Sequence, residues 1–141
     1  MKRNTKGFTL IELLAVIVVL AIIALIATPI VLNLINQARE GAARESVTSY
    51  MKAVENSVLK EMVDSENANK KFCATYEISG TTLTGSGSDC IKTLTVDVSG
   101  KTPTAGKVSM NSDGTNITAV GVTSNGYDKF YYTQKEGTKR S

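Results

Sequence analysis

The chain has 141 residues, room for one domain and not two, with 16 Lys and Arg, 13 Asp and Glu, two Cys, and neither His nor Trp. Without His there is no Ser-His-Asp triad, no Cys-His dyad and no His-ligated metal, and two Cys alone build neither a zinc nor an iron–sulfur site. A formal charge of +3 does not argue for nucleic-acid binding, so the totals lead to no enzyme, no cofactor and no metal as the expectation.

The first segment in chain order differs from everything after it. Residues 8–35 contain 23 apolar side chains in 28, with the run LLAVIVVLAIIALIA from Leu13 to Ala27 free of any polar side chain. A bilayer core needs about 20 helical residues, and this stretch is long enough to cross it. Lys2, Arg3 and Lys6 precede it, and without them the remaining 13 positive and 13 negative residues cancel. A short basic tail before an apolar helix stays in the cytoplasm, which places the rest of the chain outside the membrane. A cleaved secretory signal fits less well, because Leu25 stands two residues before Ala27 where a small residue belongs and Pro29 follows closely. A plain anchor does not explain Glu12, since a carboxylate beside a spanning segment is costly and functional by default.

The local string is Lys6-Gly7-Phe8-Thr9-Leu10-Ile11-Glu12-Leu13. It resembles the amino-terminal motif of type IV prepilins and of the pseudopilins of type II secretion and competence systems. The resemblance covers roughly residues 1–36. It implies a leader of residues 1–7 that a membrane prepilin peptidase removes between Gly7 and Phe8, and methylation of the new terminus at Phe8. Helical geometry adds a reason for the spacing: with 3.6 residues per turn, a free amine on Phe8 and the carboxylate of Glu12 lie on one face. Glu12 is therefore expected to pair with the Phe8 amine of a neighbouring subunit, or with its own, during assembly. A merely interfacial Glu12 in a monomeric anchor is the plainer reading.

Pro29 lacks an N–H and clashes with the preceding turn, so a kink or loosening is expected there. The family has a proline at this place, while the glycine that often stands eight residues earlier is replaced by Ala21. Beyond Pro29 the apolar residues Ile35, Ala38, Ala42, Ala43, Val47, Tyr50, Met51, Val54, Val58 and Met62 recur at steps of mostly three and four. This is an amphipathic stripe to about residue 64, with Glu40 and Arg44 paired on the opposite face.

From residue 65 the helical period ends. Residues 65–91 are expected as loop, and within them Cys73 and Cys90 close a stretch rich in Gly and Ser; they form either a disulfide, which the location outside the membrane permits, or two free thiols. Strands are expected over residues 94–98, 108–110, 117–122 and 127–133, with Asn125-Gly126 marking a tight hairpin. Asn111-Ser112-Asp113-Gly114 reads as a turn, faintly like a calcium loop but with Val120 where the bidentate Glu belongs. Lys135, Lys139 and Arg140 fall in a tail over residues 134–141 that is expected to fray.

The expected fold is α+β: a long N-terminal helix packed on a small antiparallel sheet of three or four strands within residues 92–133. Residues 8–35 form its membrane-spanning and filament-core half, and residues 36–141 an extracellular head whose helical part is residues 36–64. The leading functional expectation is a structural subunit, a major pilin, in the cytoplasmic membrane as precursor and in a cell-surface filament when assembled. Its partners are then other copies of itself, the prepilin peptidase and an assembly machinery of ATPase and membrane platform. The resemblance suggests adhesion, surface motility or DNA uptake as outputs. A pseudopilin and a non-polymerising membrane-tethered binding module are the alternatives.

Overall fold

A run of Leu, Ile, Val and Ala followed by an amphipathic stripe produces one helix, α1 (Leu10–Val63), in the computed structural model, which describes residues 7–64, 66, 67 and 69–141. Lys2, Arg3 and Lys6 of the expected leader lie outside the described residues, as do Ser65 and Ala68 of the expected loop. The chain divides into two units, Met1–Arg39 and Glu40–Ser141, and α1 contributes to both.

In the first unit the large apolar side chains stand free. Phe8 is 88% and Leu10 90% exposed, and Leu13, Ile17, Leu20, Ile23 and Ile30 are all exposed. Leaving such a side chain in water rather than burying it costs about 1.5–3 kcal/mol, so this unit needs lipid or apolar neighbours around it. It is long and apolar enough to cross a membrane. The helix continues through both Pro29 and Gly41. Beside the proline, the Thr28 hydroxyl donates to the Ala24 carbonyl at 2.6 Å, a bond back along the helix.

In the second unit the stripe is buried: Ala43, Val47, Tyr50, Met51, Val54 and Val58 face the core. Among the described residues nine strands follow, β1 (Lys71–Phe72), β2 (Thr75–Ser79), β3 (Thr82–Gly85), β4 (Cys90–Ile91), β5 (Thr93–Thr95), β6 (Ala105–Ser109), β7 (Thr118–Ser124), β8 (Tyr127–Thr133) and β9 (Gly137–Arg140). Seven form an antiparallel sheet in the order β5-β3-β2-β6-β7-β8-β9, while β1 and β4 form a separate parallel pair. Alternate residues point inward, among them Tyr76, Leu83, Leu94, Val108, Phe130 and Tyr132, and these join the helix stripe in one core.

The α+β class is as expected, and several details differ. The sheet has seven strands rather than three or four. Residues 65–91, expected as loop, hold β1 to β3 and the whole of β4. Their strands are only two to five residues long, too short to show a clear period in the sequence. The tail over residues 134–141 holds β9, which pairs with β8 from Thr133↔Gly137 to Phe130↔Arg140 instead of fraying. Asn125 and Gly126, at φ 53° and 81°, make the expected hairpin between β7 and β8.

Polar links fasten the helix to the sheet. The Tyr132 hydroxyl donates to Glu55 Oε1 at 2.7 Å, the Tyr50 hydroxyl to the Gly80 carbonyl at 2.9 Å, and the Thr48 and Thr138 hydroxyls lie 2.7 Å apart. Arg140 reaches Glu40 at 3.4 Å from the last strand, stacks over Tyr127 at 5.2 Å, and donates to the Asp128 carbonyl. Glu40 and Arg44 approach to 4.0 Å, the pairing expected one helical turn apart.

Candidate processing and assembly site

The candidate site is built from residues 7–13. Gly7, Phe8 and Thr9 precede the helix, which starts at Leu10. The first N–H groups of a helix have no partner within it. Here Thr9 and Glu12 supply two. The Glu12 amide donates to Thr9 Oγ1 at 3.3 Å, and the Thr9 amide donates to Glu12 Oε2 at 3.0 Å. The first intrahelical bond runs from the Leu13 amide to the Thr9 carbonyl at 3.2 Å. This reciprocal arrangement is a capping box, with Thr at the cap and Glu three residues on. The carboxylate also stands at the positive end of the helix dipole.

Thr9 is the functional residue that sequence reasoning missed. The pattern Thr-x-x-Glu ahead of an apolar run is its signal in the sequence. In the uncleaved chain the nitrogen of Phe8 is a peptide amide, and the bond that Glu12 accepts comes from Thr9. The carboxylate is thus engaged within its own chain before a free Phe8 terminus exists.

Among the described residues nothing lies within 4 Å of where a Cβ on Gly7 would sit. Phe8, the residue after it, is almost fully exposed. The peptide bond between them therefore lies before the helix, between two residues that are exposed among the described ones.

The other expected site residues lie elsewhere. Pro29 is inside α1. Cys73 and Cys90 are joined by a disulfide in the head, with Cα atoms 5.0 Å apart. The bond ties the residue after β1 to β4, and buried Tyr76 closes the arrangement. Its hydroxyl accepts from the Cys73 amide at 3.0 Å and donates to the Ile91 carbonyl at 2.7 Å. Gly85 is required by close approach: a Cβ there would sit 2.6 Å from Cys73 Sγ and 2.8 Å from the Tyr76 ring.

The Asn111–Gly114 stretch is a turn between β6 and β7, in which Asp113 Oδ1 accepts from the Thr115 amide at 3.0 Å and from its hydroxyl at 2.6 Å. Those bonds lower the Asp113 pKa. Among the described residues no group of three or more His, Cys, Asp or Glu is arranged to hold a metal ion.

Comparison with known proteins gives one match. The family model of the prokaryotic N-terminal methylation motif matches residues 2–28. No curated protein and no solved structure matches the chain. The chain thus carries the N-terminal motif of type IV pilin-like and pseudopilin-type proteins, on an apolar helix consistent with a membrane-anchored precursor.

Proposed function

We propose that this chain is a non-enzymatic structural subunit, a major pilin of a type IV pilus. The observation that carries the reading is the matched motif over residues 2–28 on an apolar helix whose large side chains are exposed. A prepilin peptidase cuts between Gly7 and Phe8, and the amine of Phe8 is methylated. The apolar helices then leave the bilayer for a filament core of other copies, exchanging lipid for equally apolar neighbours. That transfer needs work, which an ATP-driven assembly machine supplies. On joining the filament, Glu12 gives up its bond from the Thr9 amide for the charged amine of a neighbour. A buried carboxylate is tolerated when it is paired with a cation. Adhesion, motility or DNA uptake are the outputs the motif's relatives suggest.

The test is filament yield. Filaments sheared from cells contain the wild-type chain, while Glu12→Gln and Glu12→Ala subunits remain in the membrane. Polymerisation of both variants at the wild-type level contradicts the pairing. Wild-type chain that never leaves the membrane points to a tethered binding module, and short, scarce filaments to a pseudopilin.

A further inference from the structure

The Cys73–Cys90 disulfide is covered by backbone. Between β3 and β4 the chain runs through Ser86, Gly87, Ser88 and Asp89, and this run lies against the sulfurs. A Cβ on Gly85 would sit 2.6 Å from Cys73 Sγ, and one on Gly87 would sit 2.7 Å from Cys90 Sγ and 3.9 Å from Cys73 Sγ. Each sulfur thus has a glycine pressed against it, with no room left for a methyl group.

The two covers are held differently. Gly85 ends β3, and its amide donates to the Lys92 carbonyl at 2.6 Å; the Ser86 amide donates to the Thr75 carbonyl at 3.2 Å. Cys73 behind Gly85 is 2% exposed. Past Ser86 the fastening stops. Gly87 and Ser88 are exposed, and among the described residues neither makes a backbone hydrogen bond. Segments of this kind open locally at a free-energy cost far below that of unfolding the whole domain. A depression of about 480 Å³ also reaches Ser88, Asp89 and half-buried Cys90, while Cys73 is not in its wall.

We infer that residues 86–89 are a strap that gates thiol attack on the disulfide, so that reduction proceeds by local opening of the strap and attack at Cys90. A thiolate needs a path to the sulfur it attacks. With the strap lifted, the thiolate of a small reductant such as glutathione forms a bond to Cys90 Sγ. The bond between the two cysteines breaks, and its electron pair leaves with Cys73 Sγ, which takes a proton from solvent. The Ile91 carbonyl, 3.3 Å away, is placed to accept from the new thiol. A second thiolate attacks the mixed disulfide at the glutathione sulfur; Cys90 leaves and is protonated, and the two reductant molecules end as their own disulfide. The closed strap thus preserves the tie between β4 and the residue after β1, and its opening makes that tie reducible while the head stays folded. The inference does not rest on polymerisation.

The experiment treats the full-length protein in detergent with glutathione, without denaturant, quenches with acid and maps the adduct by peptide mass spectrometry. Glutathione is expected on Cys90. Gly87→Ala should speed reduction about fivefold or more, because a disulfide sulfur cannot swing aside for the added methyl and the strap must move instead. Tyr132→Phe, which weakens the head between α1 and β8 away from the strap, should leave the rate within about twofold of wild type. If Gly87→Ala fails to fold, the adduct position in wild type carries the test. Glutathione on Cys73 overturns the inference, as does an unchanged rate in folded Gly87→Ala. Reduction that awaits denaturant, or that Tyr132→Phe speeds as much as Gly87→Ala does, shows global unfolding as the route and overturns it too.

Discussion

The amides of Thr9 and Glu12 each donate to the other residue's side chain, at 3.0 and 3.3 Å, and together they start the helix two residues after the Gly7–Phe8 peptide bond. Glu12 therefore has a function in the isolated chain besides any it acquires in an assembly. Losing a Thr cap typically costs about 1 kcal/mol of helix stability. In detergent-solubilised protein, Thr9→Ala is expected to speed hydrogen exchange at the Glu12 amide about fivefold, the same energy expressed as an opening equilibrium. Thr9→Ser should leave it near the wild-type rate. Equal exchange in the two variants contradicts the cap.

The Tyr132 hydroxyl on β8 and the Glu55 carboxylate on α1 are 2.7 Å apart, and the ring of Tyr132 is buried. Hydrogen bonds to charged groups contribute about 1.5–3 kcal/mol, and partial exposure of this pair places it toward the low end. Tyr132→Phe should lower the unfolding free energy of the head by about 1–2 kcal/mol in denaturant titration. Tyr131→Phe, one residue away on the outer face, should change it by less than about 0.5 kcal/mol. Equal losses contradict the assignment of faces.

Burial pushes both Tyr50 and Tyr132 up from the ordinary value of 10.0 to about 12, with Glu55 adding to the effect at Tyr132. Each ring is thus held in its neutral, protonated form by the fold. As pH rises past 10 the unfolded chain releases these protons first and binds fewer than the native state, so stability falls. The contribution is intact below pH 10 and is lost progressively between pH 10 and about 12. Denaturant midpoints measured across that window should drop more steeply for wild type than for the Tyr50→Phe, Tyr132→Phe double variant. Parallel curves contradict the account.

The disulfide spans 17 positions and encloses β2 and β3. A cross-link closing a loop of that size contributes about 3 kcal/mol by restricting the unfolded chain. The Cys73→Ser, Cys90→Ser double variant should lose about that much, read from urea midpoints. Gly85→Ala should destabilise wild type clearly, since its Cβ would fall 2.6 Å from Cys73 Sγ. It should cost less in the double variant, because each site shares the same packing. Additive losses contradict the close approach.

The parts of the fold legible in the sequence are those with a strong period or a demanding turn. The helix stripe from Ala43 to Val58 follows a period of 3.6 and is buried as the period requires. Tyr127–Thr133 reads as a strand because its aromatic residues follow Asn125-Gly126, a turn with few alternatives. β2 was not legible although its burial alternates cleanly, because Thr75, Glu77 and Ser79 make the outer positions polar in a stretch already rich in polar residues. β9 lacks any large apolar residue; pairing with β8, the Thr138 hydroxyl and the Arg140 contacts hold it, and none of these is a local signal. At the candidate site, Gly7, Phe8 and Glu12 stand out by residue type. Thr9 does not stand out alone; its signal is the four-residue pattern Thr-x-x-Glu ahead of the apolar run.

The central claim is that this chain is processed between Gly7 and Phe8 and leaves the membrane as a filament subunit. Mass spectrometry of the N-terminal peptide of the extracellular protein tests it most directly. The account predicts a peptide that begins at Phe8 and carries a methyl group on its amine; a peptide beginning at Met1 or at Thr28 contradicts it.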